Sequence, residues 1–394
     1  MQSIAPTNDQ FESLSPPVLR GSTVVFKNFN DFVNRKSRQP DGFSYGITGT
    51  STARGLERKI AQLEGGRHCV ITPSGQSALM TTVMGFVRGG DHLLVSAACY
   101  GALKTFAQKW LAGMNVEVEF YPPAIGAEIE SFIRPNTRMI CMESPGTVTM
   151  EMQDTPAIAA VARRRGVLTM MDNTWASPLG FRPLEQGVDF SVEAATKFLG
   201  GHSDLLMGTI SMNDHAHYEV LRETQSILGQ QVSPEDCFLV LRGLETLKLR
   251  VAAQSASALR VARWLQTQPE VDRVLYPPLE SDPGHVLWKR DFRTNGCLFS
   301  LVLKPAPEAA FHGFFDAFKC FVIGASWGGV HSLAAYYPAP LQADRVFPAT
   351  DQAVVRLSIG LEPTDELIAD LQAALAGYAA RRASIAARSD EGRS

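Results

Sequence analysis

The sequence predicts an α/β protein with a mostly parallel sheet covered by helices on both faces, followed by a smaller C-terminal α+β domain. Short apolar runs alternate with helical patterns from about residue 51 to 230, and parallel strands need helical crossovers to connect them. From residue 233 onward, helical segments enclose three strand-like runs. A chain of 394 residues is long enough for two or three structural units around a large buried core.

Five short apolar runs in the first region predict strands buried on both faces. These runs are Cys69–Ile71, Leu93–Val95, Val116–Phe120, Met139–Cys141 and Val167–Met171. Helices are predicted between them at Gln76–Val87, Ala102–Leu111 and Pro156–Arg165. The last helix has clear boundary signals, with Thr155 as the predicted N-cap, Pro156 in the first turn and Gly166 beyond the end.

The remaining segments complete the predicted organisation. Residues 1–50 are rich in Asn, Ser, Pro, Gly and Phe and predict an extended arm with few helical turns, which must lie on another surface to be ordered. A helix is predicted from Ser233 to about Gln268, which Arg242-Gly243 could interrupt, and a final helix at Thr364–Ala376. The strand-like runs lie at 271–276, 297–303 and 353–359. We therefore predict an arm at 1–50, an α/β domain at 51–245, a C-terminal α+β domain at 246–380 and a flexible tail at 381–394.

Composition and net charge limit the partners and the cellular compartment that we expect for this protein. A net charge of −3 gives no reason to expect nucleic acid or an anionic membrane as a partner. The sequence shows no secretory signal pattern and no apolar stretch near the roughly 18 residues that suggest a membrane span. Its six cysteines are scattered without a C-x-x-C pair. They predict free thiols in a reducing compartment, and hence the cytoplasm.

Asp172 and Lys197 are the first candidates for chemistry. Asp172 follows the apolar run Val167–Met171 and so lies at the carboxyl end of a buried strand, where open α/β sheets bind ligands. Lys197 follows another strand-like run, Val188–Val192. A buried lysine is costly unless it is neutralised or bonded, and a Schiff base with an aldehyde cofactor does this while supplying an electrophile. The alternative interpretation is an Asp in a turn and a surface lysine in a loop.

The turn at residues 72–78, with the sequence Thr-Pro-Ser-Gly-Gln-Ser-Ala, joins a predicted strand to a predicted helix. Its glycine allows close backbone approach, and the unpaired N–H groups of a helix start attract an anion. An ordinary strand-to-helix turn is the alternative, because such turns are common. The turn is therefore a candidate phosphate site only in combination with other signals.

Seven ordered segments resemble the Cys/Met-metabolism family of pyridoxal 5′-phosphate enzymes, from about residue 20 to 378. The resemblance implies the fold of type I pyridoxal-phosphate transferases, with a seven-stranded type of sheet, and is closest to the bacterial cystathionine β-lyase subgroup. The segments are Leu63-Glu64-Gly65-Gly66, residues 143–151 (Glu-Ser-Pro-Gly-Thr-Val-Thr-Met-Glu), Asp172-Asn173-Thr174-Trp175-Ala176, Ala194-Ala195-Thr196-Lys197-Phe198, Gly201-His202-Ser203-Asp204, Ser326-Trp327-Gly328-Gly329 and residues 356–362 (Arg-Leu-Ser-Ile-Gly-Leu-Glu).

The resemblance implies that pyridoxal 5′-phosphate is the cofactor and that Lys197 holds it and shuttles the Cα proton. Asp172 would pair with the pyridinium nitrogen, which keeps the ring protonated as an electron sink. The other implied cofactor contacts are Tyr100 stacked on the ring, backbone N–H groups of Gly75 and Gln76 and the Thr196 hydroxyl on the phosphate, and Thr174 beside Asp172.

On the substrate side, the resemblance implies that Arg356 binds the substrate carboxylate through a two-pronged ion pair, which a lysine could not reproduce. Ser326 and Trp327 would line the same pocket. Tyr45, in the arm, would reach the active site of a neighbouring subunit. The implied assembly is a homotetramer whose minimal active unit is a dimer.

Four positions depart from the family pattern. Ile47 stands where relatives usually carry an arginine that donates to the phosphate, with Thr48 and Thr50 as candidate substitutes. The other three lie near the implied substrate site. They are Ser226 in place of a tyrosine, Ala325 in place of a tyrosine and His331 in place of a glutamate.

The predicted function is therefore a pyridoxal-phosphate-dependent carbon–sulfur lyase, with L-cystathionine cleaved to homocysteine, pyruvate and ammonia. The enzymatic alternatives are cysteine desulfhydration, γ-elimination and γ-replacement. The alternative of another class is a non-catalytic pyridoxal-phosphate-binding protein, which the retention of Arg356 disfavours because a binder needs no carboxylate clamp. We predict no metal site, because His215 and His217 lack a third ligand in the sequence.

Overall fold

The computed structural model of the protein describes residues 13–339 and 352–391. The strands of its main sheet are β1 (His68–Thr72), β2 (His92–Ser96), β3 (Glu117–Tyr121), β4 (Thr137–Glu143), β5 (Leu168–Asp172), β6 (Phe190–Ala194) and β7 (Gly208–Met212). Their order across the sheet is β1-β7-β6-β5-β4-β2-β3. Neighbouring strands are parallel except that β7 is antiparallel to both β1 and β6. The predicted mostly parallel sheet is confirmed, whereas β7 was not predicted.

Helices pack on both faces of this sheet, as predicted. In chain order they are α2 (Ser51–Glu64), α3 (Gly75–Phe86), α4 (Gly101–Thr105), α5 (Thr155–Arg165), α6 (Ser177–Gly180), α7 (His215–Ile227) and α8 (Pro234–Leu265). A short helix of the arm, α1 (Phe29–Val33), precedes them and buries none of its residues. Side chains on β2 show the two faces: Leu93 and Val95 join the hydrophobic cluster of α3, α4 and α7, and Leu94 joins that of α2, α5 and α8. This alternation follows from the two-residue period of a strand.

The second sheet has the order β10-β11-β12-β9-β8. Its strands are β8 (Val271–Leu275), β9 (Leu298–Leu303), β10 (Val322–Ile323), β11 (Leu333–Tyr337) and β12 (Val354–Ser358). The helices of this region are α9 (His285–Asp291), α10 (Phe311–Phe315) and α11 (Thr364–Glu391). The smaller C-terminal α+β unit is therefore present, and three of its five strands match the predicted runs.

Helix boundaries differ from the prediction in several places. The N-cap of α5 is Asp154, not Thr155, because the Asp154 side chain accepts the Ala157 N–H. Gly166 ends α5 in the left-handed region with φ of 66°, as predicted. The predicted helix at 102–111 is divided into α4 and a π-helical turn at Phe106–Leu111.

Gly243 does not interrupt α8, which is one continuous helix of 32 residues. A Cβ at position 243 would lie 2.4 Å from the Gly200 carbonyl oxygen and 2.5 Å from that of Leu199. The glycine therefore permits close packing of α8 against the segment that follows Lys197. The predicted domain boundary at residue 245 consequently falls inside a helix.

The two ends of the described chain both contain helical structure, which was expected as a few turns in the arm and was not expected in the tail. The arm at residues 13–50 contains α1 and short 3₁₀ turns at Arg35–Arg38 and Gly46–Thr48. Helix α11 continues through residue 391, so the segment predicted as a tail from residue 381 is helical up to that point. Within the described residues, no helix combines the length and apolar character needed to cross a bilayer.

Candidate active site

Lys197 lies just beyond the carboxyl end of β6 and contacts the C-terminal unit. Its Nζ donates to Ser326 Oγ at 2.7 Å and lies 5.4 Å from the centre of the Trp327 ring. The Trp327 ring also packs edge-on against Phe198. Gly328 has φ of 79°, and a Cβ there would lie 3.1 Å from Lys197 Cβ. The structure therefore brings together Lys197, Ser326 and Trp327, which are separated by about 130 residues of sequence.

The environment of Lys197 shifts its protonation equilibrium toward the neutral amine. Burial and the positive charge of Arg356 lower its pKa, the negative charge of Asp172 opposes them, and the resulting pKa is about 8. An amine with this pKa is neutral in an appreciable fraction of molecules near neutral pH, which a nucleophile or a general base requires.

Asp172 is held at the end of β5 by a local hydrogen-bond arrangement. Its Oδ1 accepts the Thr174 N–H at 3.0 Å and the Thr174 hydroxyl at 2.6 Å. The Thr174 oxygen in turn accepts the Ala194 N–H at 2.9 Å. Burial raises the pKa of Asp172, while the Thr174 hydrogen bonds and the charge of Lys197 lower it. Asp172 Oδ2 has no hydrogen-bond partner among the described residues, so one oxygen is available to a protonated ring nitrogen.

The start of α3 has the backbone geometry of an anion site. The Ser74 side chain caps the helix by accepting the Ser77 N–H at 3.0 Å. The N–H groups of Gly75 and Gln76 make no hydrogen bond to any residue in the described ranges. A Cβ on Gly75 would lie 2.5 Å from Ala194 Cβ, so only glycine lets the helix start approach the end of β6. These groups fit the phosphate of pyridoxal 5′-phosphate.

Thr196, which is predicted to contact the phosphate, is hydrogen-bonded to Met207. Its hydroxyl donates to the Met207 carbonyl at 3.2 Å, and its oxygen accepts the Met207 N–H at 3.0 Å. This reciprocal pair ties the segment carrying Lys197 to the start of β7. The hydroxyl proton is thus engaged with protein backbone in this structure.

Arg356 is a buried cation on β12, only 6% exposed. Its Nη2 donates to the Ala325 carbonyl at 2.8 Å, and its guanidinium carbon lies 5.1 Å from the centre of the Tyr337 ring. Burial lowers its pKa, and Tyr337, Tyr100 and Glu143 oppose this effect. No carboxylate of the described residues forms a salt bridge with it. A buried guanidinium of this kind is suited to an incoming carboxylate.

Tyr100 is positioned by a residue that the sequence analysis did not single out. Its backbone N–H donates to Glu143 Oε2 at 2.6 Å, and its side chain is 45% exposed. Glu143 ends β4 in register with Asp172 on β5, and its Oε1 accepts the Thr147 hydroxyl. The sequence does contain a signal for Glu143. Like Asp172, it follows an apolar run that predicts a strand, and the carboxyl ends of neighbouring parallel strands lie at the same edge of a sheet.

Tyr45 has no hydrogen-bonding contact with Lys197 of the same chain. Its side chain is 56% exposed, and its carbonyl accepts the N–H and the hydroxyl of Thr48 at 2.9 and 2.7 Å. Ile47 is half-buried in the same turn. The Thr50 hydroxyl caps α2 by accepting the Ala53 N–H. Both threonines considered as substitutes for an arginine are thus bonded within the arm and its junction with α2.

The other three positions that depart from the family pattern lie in different parts of the structure. Ser226 lies in α7, and Ala325 contributes its carbonyl to Arg356. His331 is exposed, with Nδ1 4.0 Å from Glu362 Oε1. Across the described part of the chain, no group of three or more His, Cys, Asp or Glu side chains could hold a metal ion.

Comparisons with known proteins identify the family of the chain. The family model described as Cys/Met metabolism PLP-dependent enzyme matches residues 2–376. A Rhizobium johnstonii protein with the provisional name cystathionine beta-lyase is 44% identical over 381 residues, covering 95% of this chain and 94% of that protein. Cystathionine beta-lyase of Salmonella typhimurium is 38% identical, covering 92% of this chain and 94% of that protein.

Among solved structures, cystathionine gamma synthase from Xanthomonas oryzae, in complex with aminoacrylate and cysteine, superposes with a TM-score of 0.87. Its sequence identity is 28%, and the match covers 95% of this chain and 96% of that one. The fold is therefore shared with this enzyme over the matched part of the chain. The chain belongs to the Cys/Met-metabolism family of enzymes that depend on pyridoxal 5′-phosphate.

Proposed function

We propose that this enzyme is a carbon–sulfur β-lyase, which cleaves L-cystathionine to homocysteine, pyruvate and ammonia. The observation that carries the proposal is the position of the Lys197 amine, with its pKa lowered to about 8, beside Ser326 and near buried Arg356. The lyase names of the Rhizobium and Salmonella relatives support the choice of reaction.

The proposed roles of the protein groups follow from their surroundings. Arg356 binds the substrate α-carboxylate and so orients the Cα–H bond. Lys197, once free and neutral, removes the Cα proton, and the Ser326 hydroxyl 2.7 Å away orients its Nζ. When bound, the cofactor ring delocalises the charge left at Cα. Departure of the thiolate from Cβ then requires no second deprotonation of carbon, unlike γ-elimination.

In this proposal Lys197 attaches the cofactor covalently, and other groups hold its ring nitrogen, its ring face and its phosphate. Asp172, fixed by Thr174, pairs with the ring nitrogen, and Tyr100 stacks on the ring. The backbone N–H groups of Gly75 and Gln76 bind the phosphate. The Thr196 hydroxyl adds a contact when its hydrogen bond to the Met207 carbonyl is broken. Tyr45 of a neighbouring subunit completes the phosphate end.

The direct test is an assay of the purified enzyme with L-cystathionine. We expect pyruvate and homocysteine in equal amounts, because the thiolate leaves from Cβ. L-Alanine, which lacks a leaving group, is the matched control and should yield no keto acid by elimination. Identification of the keto acid by mass spectrometry checks the result, since β- and γ-elimination leave different carbon skeletons.

Other products would contradict the β-lyase proposal in defined ways. 2-Oxobutyrate with cysteine would assign γ-elimination. Consumption of cysteine but not cystathionine would assign desulfhydration, and replacement at Cγ by an added thiol would assign γ-replacement. If the cofactor-loaded protein turned over none of these substrates, the conclusion would be that it binds pyridoxal 5′-phosphate without catalysing a reaction.

The proposed assembly is a cytoplasmic homotetramer built from active dimers. The arm supports this, because Val25 and Phe29 are 91% and 80% exposed and such apolar side chains are suited to a second copy of the chain. All six cysteines are free thiols, which supports a reducing compartment.

Subunit complementation tests the role of Tyr45. We expect Tyr45→Phe and Lys197→Ala subunits to be impaired separately and to recover part of the activity when mixed, because one hybrid site then has both groups. Activity of re-equilibrated mixed oligomers is the measurement, and mixing each variant with itself is the control. Mixed oligomers that gain no activity would place Tyr45 in its own subunit's site or outside catalysis.

A further inference from the structure

Two glutamates lie buried together behind the candidate active site. Glu193 is on β6, next to Val192, which is in register with Asp172. Because successive strand side chains point to opposite faces, Glu193 faces away from the side of Asp172 and toward α2. Glu64 is the last residue of α2. The two glutamates are 2% and 0% exposed.

The two carboxyl groups act directly on each other, and Glu64 Oε1 is buried without a hydrogen-bond donor among the described residues. Ser191 Oγ donates to Glu64 Oε2 at 3.0 Å, and Asn173 Nδ2 donates to Glu193 Oε1 at 3.1 Å. Ionised carboxylates only accept hydrogen bonds, so a bond between two carboxyl groups requires a proton on one of them. Neither glutamate forms a salt bridge with a lysine or arginine of the described residues.

The charged and titratable groups around the pair favour retention of this proton. The positive charge of Arg182 lowers the pKa of Glu64, but the Arg182 side chain is itself paired with Glu185. Asp172 acts on Glu193 as a like charge. The Cys69 thiol, whose pKa is raised by burial, stays neutral beside Glu64. A fully ionised pair would place two uncompensated charges in this buried layer.

We propose that Glu64 and Glu193 share one proton at neutral pH and act as positioning residues for Asp172. The link is Asn173, whose side chain also donates to the Phe181 carbonyl at 2.9 Å and whose N–H donates to the Val192 carbonyl at 2.8 Å. Loss of the shared proton would drive the carboxyl groups apart and withdraw the Glu193 oxygen from Asn173.

Asn173 lies directly between Asp172 and Thr174, whose N–H and hydroxyl orient the Asp172 carboxylate. The shared proton therefore holds that turn in place and limits the negative charge close to Asp172. The inference rests on the proposed role of Asp172 toward the cofactor.

Protonation also makes stability depend on pH. Burial raises the pKa of Glu64 from an ordinary 4.5 to about 7 and raises that of Glu193 well above its ordinary value. The folded state therefore binds more protons than the unfolded chain above pH 4.5. The stabilisation from the bound proton is complete below that pH and is lost as pH rises through the folded-state pKa. Over this range the equilibrium constant for unfolding increases about tenfold per pH unit for each proton.

Glu193→Gln is the informative variant because its amide can donate to Glu64 and its oxygen can accept from Asn173. On the cofactor-loaded protein at neutral pH, we expect the infrared C=O band of a protonated carboxylic acid in the wild type and its loss in this variant. The fall in stability between pH 4.5 and about 7 should flatten. Cofactor affinity and the pH midpoint of the visible cofactor band should stay within about twofold of the wild type, because the hydrogen bonds remain.

Glu193→Leu tests the positioning role, since it removes the acceptor of Asn173. We expect roughly tenfold weaker cofactor binding, the effect of one lost buried hydrogen bond, and a shifted midpoint of the visible band. Glu219→Gln, on the surface of α7, is the control and should change neither. If the leucine variant does not fold, the glutamine variant still decides whether a proton is shared.

Identical infrared spectra of wild type and Glu193→Gln would overturn the shared proton. An unchanged cofactor affinity and midpoint in Glu193→Leu would overturn the positioning role. Asp172→Asn separates this inference from the proposed function. If it leaves the visible band and the cofactor affinity unchanged, the role of Asp172 fails and the positioning role fails with it, while the infrared result still reports on the carboxyl pair.

Discussion

Replacing Lys197 with alanine is expected to abolish covalent attachment of the cofactor and to lower kcat/KM by about 10⁴-fold. The lysine is proposed both to bind the cofactor aldehyde and to move the Cα proton, and loss of a positioned proton-transfer group alone costs about 10²–10⁴-fold. Steady-state kinetics and the visible spectrum are the measurements. Lys289→Ala, at an exposed lysine in α9, is the matched control and should behave as the wild type.

Chemical trapping tests the same residue without relying on turnover. Borohydride reduction should bleach the visible band of the wild type, and peptide mapping should then find the cofactor on Lys197. Label on another lysine would show that the central assignment is wrong. The same conclusion would follow if no visible band formed after cofactor was added to the wild type.

Arg356→Lys is expected to lower kcat/KM by about 10²-fold, largely through a higher KM. The guanidinium already donates one N–H to the Ala325 carbonyl and keeps further donors for a two-pronged contact with the substrate carboxylate. An ammonium group has no planar pair of donors, and loss of a buried charge-assisted contact costs about 2–3 kcal/mol.

Two measurements make this prediction specific. The visible cofactor band should be unchanged, because Arg356 is proposed to contact substrate and not cofactor. Arg263→Lys, at an exposed position in α8, should leave kcat/KM unchanged. If Arg356→Lys kept full activity, or lost the cofactor band, the proposed carboxylate clamp would be wrong.

Much of the candidate site could be predicted because its residues lie in short segments with a recognisable order. Asp172 and Lys197 each follow an apolar run that becomes a strand, and the fold brings both to one edge of the sheet. The contacts of Thr196 and Tyr45 could not be predicted in the same way. The Thr196 hydroxyl pairs with Met207 on a strand that was not predicted, and Tyr45 lies in an arm without periodicity.

By itself, the sequence determined the strands whose apolar residues are contiguous, the helix starts marked by proline and capping side chains, and the family. These features depend on local backbone preferences and on residues near one another in the chain. Only the tertiary structure decided that Gly243 permits close packing without breaking α8, and that β7 inserts antiparallel between β1 and β6. It alone brought the buried carboxyl groups of Glu64 and Glu193 together across 129 residues of sequence. The physical reason is that burial, and the pKa shifts that follow from it, are set by neighbours that the fold supplies from distant segments.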